Sequence, residues 1–173
     1  MDAPLHYDVT PDRPDDVARL SALATAIVKD WYDPIIGPEQ NDYMIARFQS
    51  VPALLEQLRG GCTYQILRSP GEPRTDIGFV GFYPRGNELY LSKFYLAAPW
   101  RGKGYAKPVL RHVAAFAAAR GLGAITLNVN RHNPTLAVYE ALGFRRIREE
   151  CNPIGHGFFM DDYVCSIPVP LPF

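Results

Sequence analysis

Apolar residues recur at helical spacing in the first third of the chain. They form a single stripe made of Val17, Leu20, Leu23, Ile27, Val28 and Trp31. The stripe predicts a helix that ends before Pro34, because proline lacks the main-chain N–H that a helix interior uses. A weak alternation over Leu5–Val9 predicts a short edge strand in front of this helix.

Two further helices are predicted before the pattern changes. The chain is expected to form a loop over Ile35–Gln40, and a short helix follows near Tyr43–Phe48. Ser50 is a predicted N-cap, since its hydroxyl oxygen can accept a hydrogen bond from an unpaired N–H of the next helix. The glycines Gly60 and Gly61 are expected to end that helix.

The middle of the chain consists of short segments rich in aromatic and branched residues. Thr63–Arg68, Ile77–Tyr83 and Glu88–Leu96 are separated by clusters of proline, glycine and polar residues, which is typical of an antiparallel meander. A long helix over Lys103–Arg120 and a strand over Ala124–Val129 are predicted to follow.

The end of the chain predicts one more helix and two strands. Pro134–Leu142 fits a helix that Gly143 ends, and Phe144–Glu150 and Gly157–Ile167 fit strands. The proline-rich tail Pro168–Phe173 cannot form a central strand and is expected to pack in an extended form. These elements together predict one three-layer α/β domain over residues 1–173.

Composition and charge narrow the function. The chain has 18 Lys+Arg and 18 Asp+Glu, a formal net charge of zero, so bulk charge does not draw it to nucleic acid or to an anionic membrane. Its three cysteines form no CxxC pair and no cluster with histidine, so neither a disulfide scaffold nor a metal site is expected. The N-terminus lacks the features of a signal peptide, which predicts a soluble cytoplasmic protein.

The segment Arg101-Gly102-Lys103-Gly104-Tyr105-Ala106, here called the glycine loop, is predicted to lead from a strand into a helix. The first turn of a helix has unpaired N–H groups, and the helix dipole makes that end positive. Two glycines let a diphosphate approach these donors, and Arg101 and Lys103 are expected to add mobile positive charge. The spacing fits neither GxxxxGK(S/T) nor the GxGxxG of a βαβ unit. The loop is therefore a predicted anion-binding site of another kind.

On these residues the sequence resembles the GNAT acetyltransferase superfamily. The glycine loop fits the cofactor motif Arg/Gln-x-x-Gly-x-Gly/Ala of that superfamily, and Asn133–Phe144 is similar to its second signature, N-x-x-A-x-x-x-Y-E-x-x-G-F, with the alanine shifted. Ile154–Val164 resembles the final hairpin of some members, including relatives of the polyamine acetyltransferases. The resemblance covers Tyr64–Ile167.

The resemblance implies an acetyl-CoA-dependent N-acetyltransferase without a metal, which acts on a polyamine, an amino acid or other small metabolite, or a peptide amine. It implies a mixed, mostly antiparallel sheet split near strand four, where the main chain of Phe94, Tyr95 and Leu96 pairs with the pantetheine arm and Asn133 holds the arm from the other side. Tyr139 is implied as the proton donor to the departing thiolate. The implied parts are an acceptor-side portion over 1–61, a cofactor-binding core over 62–167 and the tail over 168–173.

The group that accepts the proton of the amine stays open. Many relatives carry a glutamate in strand four that faces the cleft, whereas Glu88 here lies near the start of that strand. Tyr90 and Ser92 share its face by alternation and are candidates to pass a proton through water to Glu88. His156 is a further candidate from the last loop.

Two other functions are compatible with the sequence. A sensor that binds coenzyme A without turnover is favoured by the missing strand-four glutamate and disfavoured by the intact Tyr139 and Asn133. A purely structural domain would make both motifs coincidental. Asp161 and Asp162 can meet a cationic amine, although a solvated strand edge explains them equally well. The open final strand and the proline-rich tail indicate a homodimer.

Overall fold

Three helices follow the first strand of the chain. The structure is a computed structural model that describes residues 4–173, so the predicted start of the domain at residue 1 lies outside the described residues. Strand β1 spans His6–Val9, and helices α1, α2 and α3 span Pro14–Ile36, Pro38–Phe48 and Val51–Arg59. The predicted apolar stripe is confirmed in α1, where the buried residues include Val17, Leu20, Ile27 and Val28.

Helix α1 continues past Pro34, so its predicted end before this residue is wrong, and so is the loop over Ile35–Gln40. Pro34 lies in the last turn of the helix, where its missing N–H removes a single main-chain hydrogen bond. Gly37 alone separates α1 from α2, with a φ of 86° and a ψ of 149°. Glycine adopts this conformation readily because it has no Cβ, so one residue replaces the predicted loop.

Helices α1 and α3 pack on strands β2 and β3. These strands span Thr63–Arg68 and Asp76–Arg85 and pair antiparallel. The Ser50 hydroxyl oxygen caps α3 as predicted, by accepting a hydrogen bond from the Ala53 N–H at 3.4 Å. The buried core that these elements share consists of Val17, Leu20, Ala24, Ile27, Val28, Leu54, Cys62, Tyr64, Ile66 and Phe79.

The chain divides into two compact units, and the divisions fall near the end of β3, inside strand β4, which spans Glu88–Leu96, and before Ala106. The first unit comprises the described residues up to Tyr83 together with Lys93–Tyr105. The second comprises Pro84–Ser92 together with Ala106–Phe173. Both units therefore contain residues of β3 and of β4.

The second unit contains the remaining elements. Helices α4 and α5 span Ala106–Ala118 and Thr135–Ala141, and strands β5, β6 and β7 span Ala124–Asn130, Arg145–Gly155 and Phe158–Pro168. Helix α4 begins at Ala106 and not at the predicted Lys103. Gly102 and Gly104 have φ values of 71° and 82°, which lie outside the right-handed helical region, so the helix cannot include residues 102–104.

The seven strands are ordered β1-β2-β3-β4-β5-β7-β6. Strand β4 pairs in parallel with β5 over Glu88–Tyr90 and Ala124–Thr126, whereas β1–β2, β2–β3, β5–β7 and β6–β7 are antiparallel. The predicted α/β class and the mixed, mostly antiparallel sheet are therefore confirmed. The prediction that the final strand lies open at an edge of the sheet is wrong, because β7 lies between β5 and β6 and the sheet edges are β1 and β6.

The tail packs against other residues of the second unit. The Val169 N–H donates to the Gly123 main-chain oxygen at 3.0 Å, and the Phe173 ring lies 5.4 Å from Lys107 Nζ and 5.5 Å from the Arg111 guanidinium carbon. None of the helices within residues 4–173 combines the length and the apolar character that a membrane span requires.

Candidate active site

The glycine loop is a turn that ends where α4 begins. Gly102 and Gly104 have positive φ angles, and a Cβ built at either would meet no atom within 4 Å. The Trp100 and Arg101 N–H groups donate turn hydrogen bonds, but in the described part of the chain no such bond is donated by the main chain of 102–106. The loop thus offers main-chain donors beside open space, which a diphosphate requires.

The two cationic side chains of the loop have different surroundings. Arg101 Nε donates to the Leu96 main-chain oxygen at 2.8 Å and Nη1 donates to Asp30 Oδ2 at 3.0 Å. Its guanidinium carbon lies 4.6 Å from the centre of the Trp31 ring. Lys103 is exposed, with its Nζ over an aromatic ring. Arg101 is therefore held by the protein and is not the mobile charge expected from the sequence.

The end of β4 is packed closely. Phe94, Tyr95 and Leu96 are half-buried, and the Tyr95 ring stacks on Phe79 with centroids 5.4 Å apart. The Tyr95 main-chain oxygen approaches Gly78 so closely that a Cβ there would lie 2.3 Å from it. Only glycine permits this approach, which fixes the main chain of β4 at the residues expected to pair with a pantetheine arm.

Asn133 is buried at the start of α5. Its Oδ1 accepts a hydrogen bond from the Thr135 N–H at 3.0 Å and another from the Thr135 hydroxyl. Such an Asx turn commonly starts a helix. The Asn133 side chain therefore shapes the turn that leads into α5, a role that the sequence alone did not indicate.

Tyr139 lies on α5 and is half-buried. Its ring is T-shaped to Phe144, with centroids 5.3 Å apart. Its main-chain oxygen accepts hydrogen bonds from the N–H groups of Leu142 and Phe144 at 3.1 and 3.0 Å. These contacts fix the ring at the end of a short helix.

The polar residues on one face of β4 are bound to β5. Glu88 Oε2 accepts from Thr126 Oγ1 at 3.0 Å, and the Tyr90 hydroxyl donates to Asn128 Oδ1 at 3.0 Å. These candidate proton acceptors thus have separate partners in β5. His156, placed by the sequence in a final loop, is exposed in the tight turn between β6 and β7 with a φ of 53°.

Asn128 connects Tyr90 to two carboxylates that sequence reasoning did not link to it. Its Nδ2 donates to Glu150 Oε2 at 3.2 Å and to Asp162 Oδ2 at 3.3 Å. Burial raises the pKa of Asp162, the Asn128 hydrogen bond opposes this, and Glu150 and Asp161 add to the rise. The interpretation that Asp162 lies at a solvated strand edge is wrong, because this residue is buried.

Lys93 is a buried cation that the sequence reasoning missed. Its Nζ donates to the Tyr64 hydroxyl at 2.6 Å, and to Gln57 Oε1 and the Phe48 main-chain oxygen at 3.1 Å each. Burial lowers the pKa of Lys93 to about 7, and Cys62 acts in the opposite direction. The sequence did contain a signal for this burial. By alternation, Lys93 lies on the same face of β4 as the apolar Leu89 and Leu91.

The expected site residues occur in both units. Phe94–Tyr105 belongs to the first unit, and Ala106, Asn133 and Tyr139 belong to the second. Within residues 4–173, no group of three or more His, Cys, Asp or Glu side chains is arranged to hold a metal ion. The three cysteines are free.

Comparison with known proteins identifies the family that the sequence resembles. The sequence model described as the Acetyltransferase (GNAT) family matches residues 26–144, more than half of the chain. The bovine (Bos taurus) thialysine N-epsilon-acetyltransferase is 29% identical over 93 residues, which cover 49% of this chain and 55% of that protein. The uncharacterized N-acetyltransferase YycN of Bacillus subtilis (strain 168) is 39% identical over 59 residues, 34% of this chain and 38% of that protein. The chain thus spans about half or less of these curated relatives.

Solved structures share the fold over nearly the whole chain. The PaiA N-acetyltransferase of Thermoplasma acidophilum in complex with coenzyme A has a TM-score of 0.72 at 20% identity, covering 96% of this chain and 98% of that one. A GCN5-related N-acetyltransferase of Rhodopseudomonas palustris has a TM-score of 0.75 at 14% identity, covering 98% and 97%. The Vibrio cholerae spermidine N-acetyltransferase with CoA and spermine has a TM-score of 0.66 at 16% identity, covering 96% of each chain.

Proposed function

Because the chain belongs to the Acetyltransferase (GNAT) family, we propose that it transfers an acetyl group from acetyl-CoA to a primary amine by direct attack in a ternary complex. The observation that carries this proposal is the glycine loop. Its main-chain N–H groups over 102–106 make no turn hydrogen bond among the described residues, and open space surrounds both of its glycines. Such a segment at a helix start suits the diphosphate of coenzyme A.

The residues proposed to bind the cofactor fit its parts. The main chain of Arg101, Gly102, Lys103, Gly104, Tyr105 and Ala106 would hold the diphosphate. The main chain of Phe94, Tyr95 and Leu96 would pair with the pantetheine arm as an added strand does. Asn133 would contact the same arm. Bound acetyl-CoA supplies the thioester, and the N–H groups of β4 would polarise its carbonyl.

Tyr139 is the proposed proton donor. A phenol has a pKa near ~10 and a thiol near ~8.5, so transfer of a proton from tyrosine to the thiolate is uphill by only about 1.5 pKa units. A tyrosine hydroxyl positioned beside the sulfur would act as the general acid as the thiolate departs. An alkylamine has a pKa near ~10.4 and must lose a proton to attack. Glu88, Tyr90, Ser92 and His156 remain the candidates to accept that proton through water. Proximity and carbonyl polarisation supply much of the rate when the base is weak.

The acceptor is proposed to be a small or peptide amine. The bovine relative is named for thialysine, and the Vibrio cholerae structure contains spermine, so amines with additional charged groups are the first acceptors to test. The zero net charge of the chain does not select among a polyamine, an amino acid, another metabolite and a peptide amine.

The experiment that tests the function is thiol release from acetyl-CoA, measured against a panel of polyamines, diamines, amino acids and peptides. Turnover with any acceptor above the rate of hydrolysis is expected. Binding of acetyl-CoA without turnover across the panel would favour the sensor, for which the absence of a glutamate at the centre of β4 is the supporting observation. The absence of both binding and turnover would contradict the proposal.

We also propose a cytoplasmic homodimer that binds neither nucleic acid nor membranes. The support for the absence of such partners is the equal number of basic and acidic residues. The support for a dimer is strand β6, a long edge strand whose residues are mostly exposed.

A further inference from the structure

Arg101 occupies the first position of the glycine loop, and three groups of the protein bind its side chain. These are the Leu96 main-chain oxygen at 2.8 Å, Asp30 Oδ2 at 3.0 Å and the Trp31 ring, whose centre is 4.6 Å from the guanidinium carbon. We propose that Arg101 is a positioning residue, which fixes the start of the glycine loop to the end of β4 and to α1 and does not give its charge to the diphosphate.

Main-chain hydrogen bonds fold the segment between Leu96 and Arg101 into a compact turn. Residues Ala98–Trp100 form a short 3-10 helix, in which the Trp100 N–H donates to Ala97 O at 2.9 Å and the Arg101 N–H donates to Ala98 O at 3.3 Å. The hydrogen bond from Arg101 Nε to Leu96 O joins the two ends of this turn. The turn and this bond together set the distance between the main-chain segments proposed to hold the pantetheine arm and the diphosphate.

The electrostatics of Arg101 disfavour a direct phosphate contact. Its guanidinium has two edges occupied by Leu96 O and Asp30, and one face on the Trp31 ring, so a diphosphate would have to displace existing partners. Asp30 also opposes its charge. Lys103 is exposed and carries the other positive charge of the loop, so it can meet the ligand without breaking an ion pair.

The geometry requires arginine and not merely a cation. A planar guanidinium can donate to a carbonyl and a carboxylate in different directions while it stacks on an indole, whereas a lysine ammonium is a point charge on a flexible stem. Arg101→Lys therefore separates the two roles. It keeps the charge that a phosphate contact would need, and it loses the planar group that fixes the loop.

The test uses the full chain and coenzyme A, with affinity measured by calorimetry. Since coenzyme A binding at the glycine loop is the proposed function, the positioning role rests on it. We expect Arg101→Lys and Arg101→Gln to weaken binding by a similar factor, about tenfold, and Trp31→Leu and Asp30→Asn to weaken it in the same direction by about threefold or more. Arg101→Gln combined with Asp30→Asn should bind no more weakly than Arg101→Gln alone, because both remove one interaction.

Lys103→Gln is the matched control. It removes the loop's other cation, so its effect should add to that of Asp30→Asn. Near-normal affinity in Arg101→Lys, with unchanged affinity in Asp30→Asn and Trp31→Leu, would overturn the positioning role. A loss of affinity in Arg101→Gln alone would then show that the Arg101 charge contacts the ligand.

A second readout separates this inference from the proposed function. The Trp100 and Arg101 N–H groups donate main-chain hydrogen bonds in the segment that Arg101 is proposed to fix. Amide hydrogen exchange at these two residues in the ligand-free protein should be faster in Arg101→Gln and Asp30→Asn than in the wild type. If the wild type binds no coenzyme A, the proposed function fails, and faster exchange in these variants would still support the positioning role. Unchanged exchange would overturn it.

Discussion

Tyr139 is the side chain on which the proposed protonation of the thiolate depends. Its ring is fixed against Phe144 at the end of α5, so Tyr139→Phe removes a hydroxyl and preserves the packing. We expect kcat to fall by roughly 10²–10⁴-fold, with acetyl-CoA affinity nearly unchanged. Steady-state kinetics and calorimetry measure the two quantities.

Tyr7→Phe on strand β1 is the control for the loss of a tyrosine hydroxyl elsewhere in the chain, and its kcat should match the wild type. A wild-type kcat in Tyr139→Phe would remove the acid role of Tyr139 and leave it as a packing residue.

Lys93 predicts an unusual dependence of stability on pH. Its pKa is about 7 in the folded protein, below its ordinary value of 10.5, because burial disfavours the charged form. Below pH 7 the lysine is charged in both states, and the folded state carries the full cost of burying it. Between pH 7 and 10.5 only the unfolded state keeps the proton, so this cost declines and the stability of the wild type rises with pH.

Lys93→Met removes this dependence. Gln57 Nε2 also donates to Phe48 O, and the Tyr64 hydroxyl donates to Gln57 Oε1, so the substitution leaves both acceptors with a donor. At pH 6 the variant should therefore be more stable than the wild type. The difference in the free energy of unfolding between the variant and the wild type should shrink by pH 10. The expected decrease is on the order of a few kcal/mol, at about 1.36 kcal/mol per pKa unit.

Urea unfolding at several pH values measures the difference in the free energy of unfolding between Lys93→Met and the wild type. Lys107→Met, at an exposed position, is the control, and its difference from the wild type should not change with pH. A difference for Lys93→Met that stays constant from pH 6 to pH 10 would contradict the assigned pKa.

At the scale of elements, the glycine loop predicts a sharp loss of cofactor binding in Gly104→Val. Gly104 has a φ of 82°, and no atom lies within 4 Å of a Cβ built there, so the fold should survive the substitution with some backbone strain. The valine side chain would fill the space proposed for the diphosphate. We expect acetyl-CoA affinity to fall about tenfold or more, as measured by calorimetry.

Gly71→Val is the matched control, because Gly71 has a φ of 81° and equally open surroundings in a different turn. It should cost similar stability and leave the affinity unchanged. Equal affinity in Gly104→Val and the wild type would exclude the loop as the diphosphate site.

Elements with a regular pattern were predictable from sequence, and their ends depended on single residues. The strands Thr63–Arg68 and Glu88–Leu96 were predicted with their observed limits, because alternation and turn clusters bound them on both sides. The end of α1 was predicted too early, because a proline in the last turn of a helix removes only one hydrogen bond and the helix can continue past it. The start of α4 was placed too early, because residue spacing does not reveal that Gly102 and Gly104 adopt positive φ.

The candidate site was predictable where a motif existed, and was missed where contacts join distant segments. The glycine loop was proposed from its glycines and its place before a helix, and Asn133–Phe144 from its resemblance to a family signature. The Lys93 network joins residues 48, 57, 64 and 93, and the Tyr90 network joins residues 90, 128, 150 and 162. No local pattern encodes pairs so far apart in sequence, and alternation gives only the face on which each residue lies.

At the scale of the whole molecule, the sheet edges bear on assembly. The edges are β1 and β6, and β6 spans Arg145–Gly155 with mostly exposed residues. A long exposed edge strand is a ready surface for a second copy, and we expect a homodimer. Light scattering coupled to size-exclusion chromatography measures the mass, and a value equal to the 19.4 kDa of one chain at every concentration would contradict the dimer.

The account depends above all on acetyl-CoA binding at the glycine loop, and a crystal structure with coenzyme A tests this most directly. The predicted result places diphosphate oxygens within about 3.2 Å of main-chain nitrogens between residues 101 and 106, with the thiol end of the arm near Tyr139. A cofactor bound elsewhere, or N–H groups over 102–106 that donate to other groups of the protein, would contradict the account.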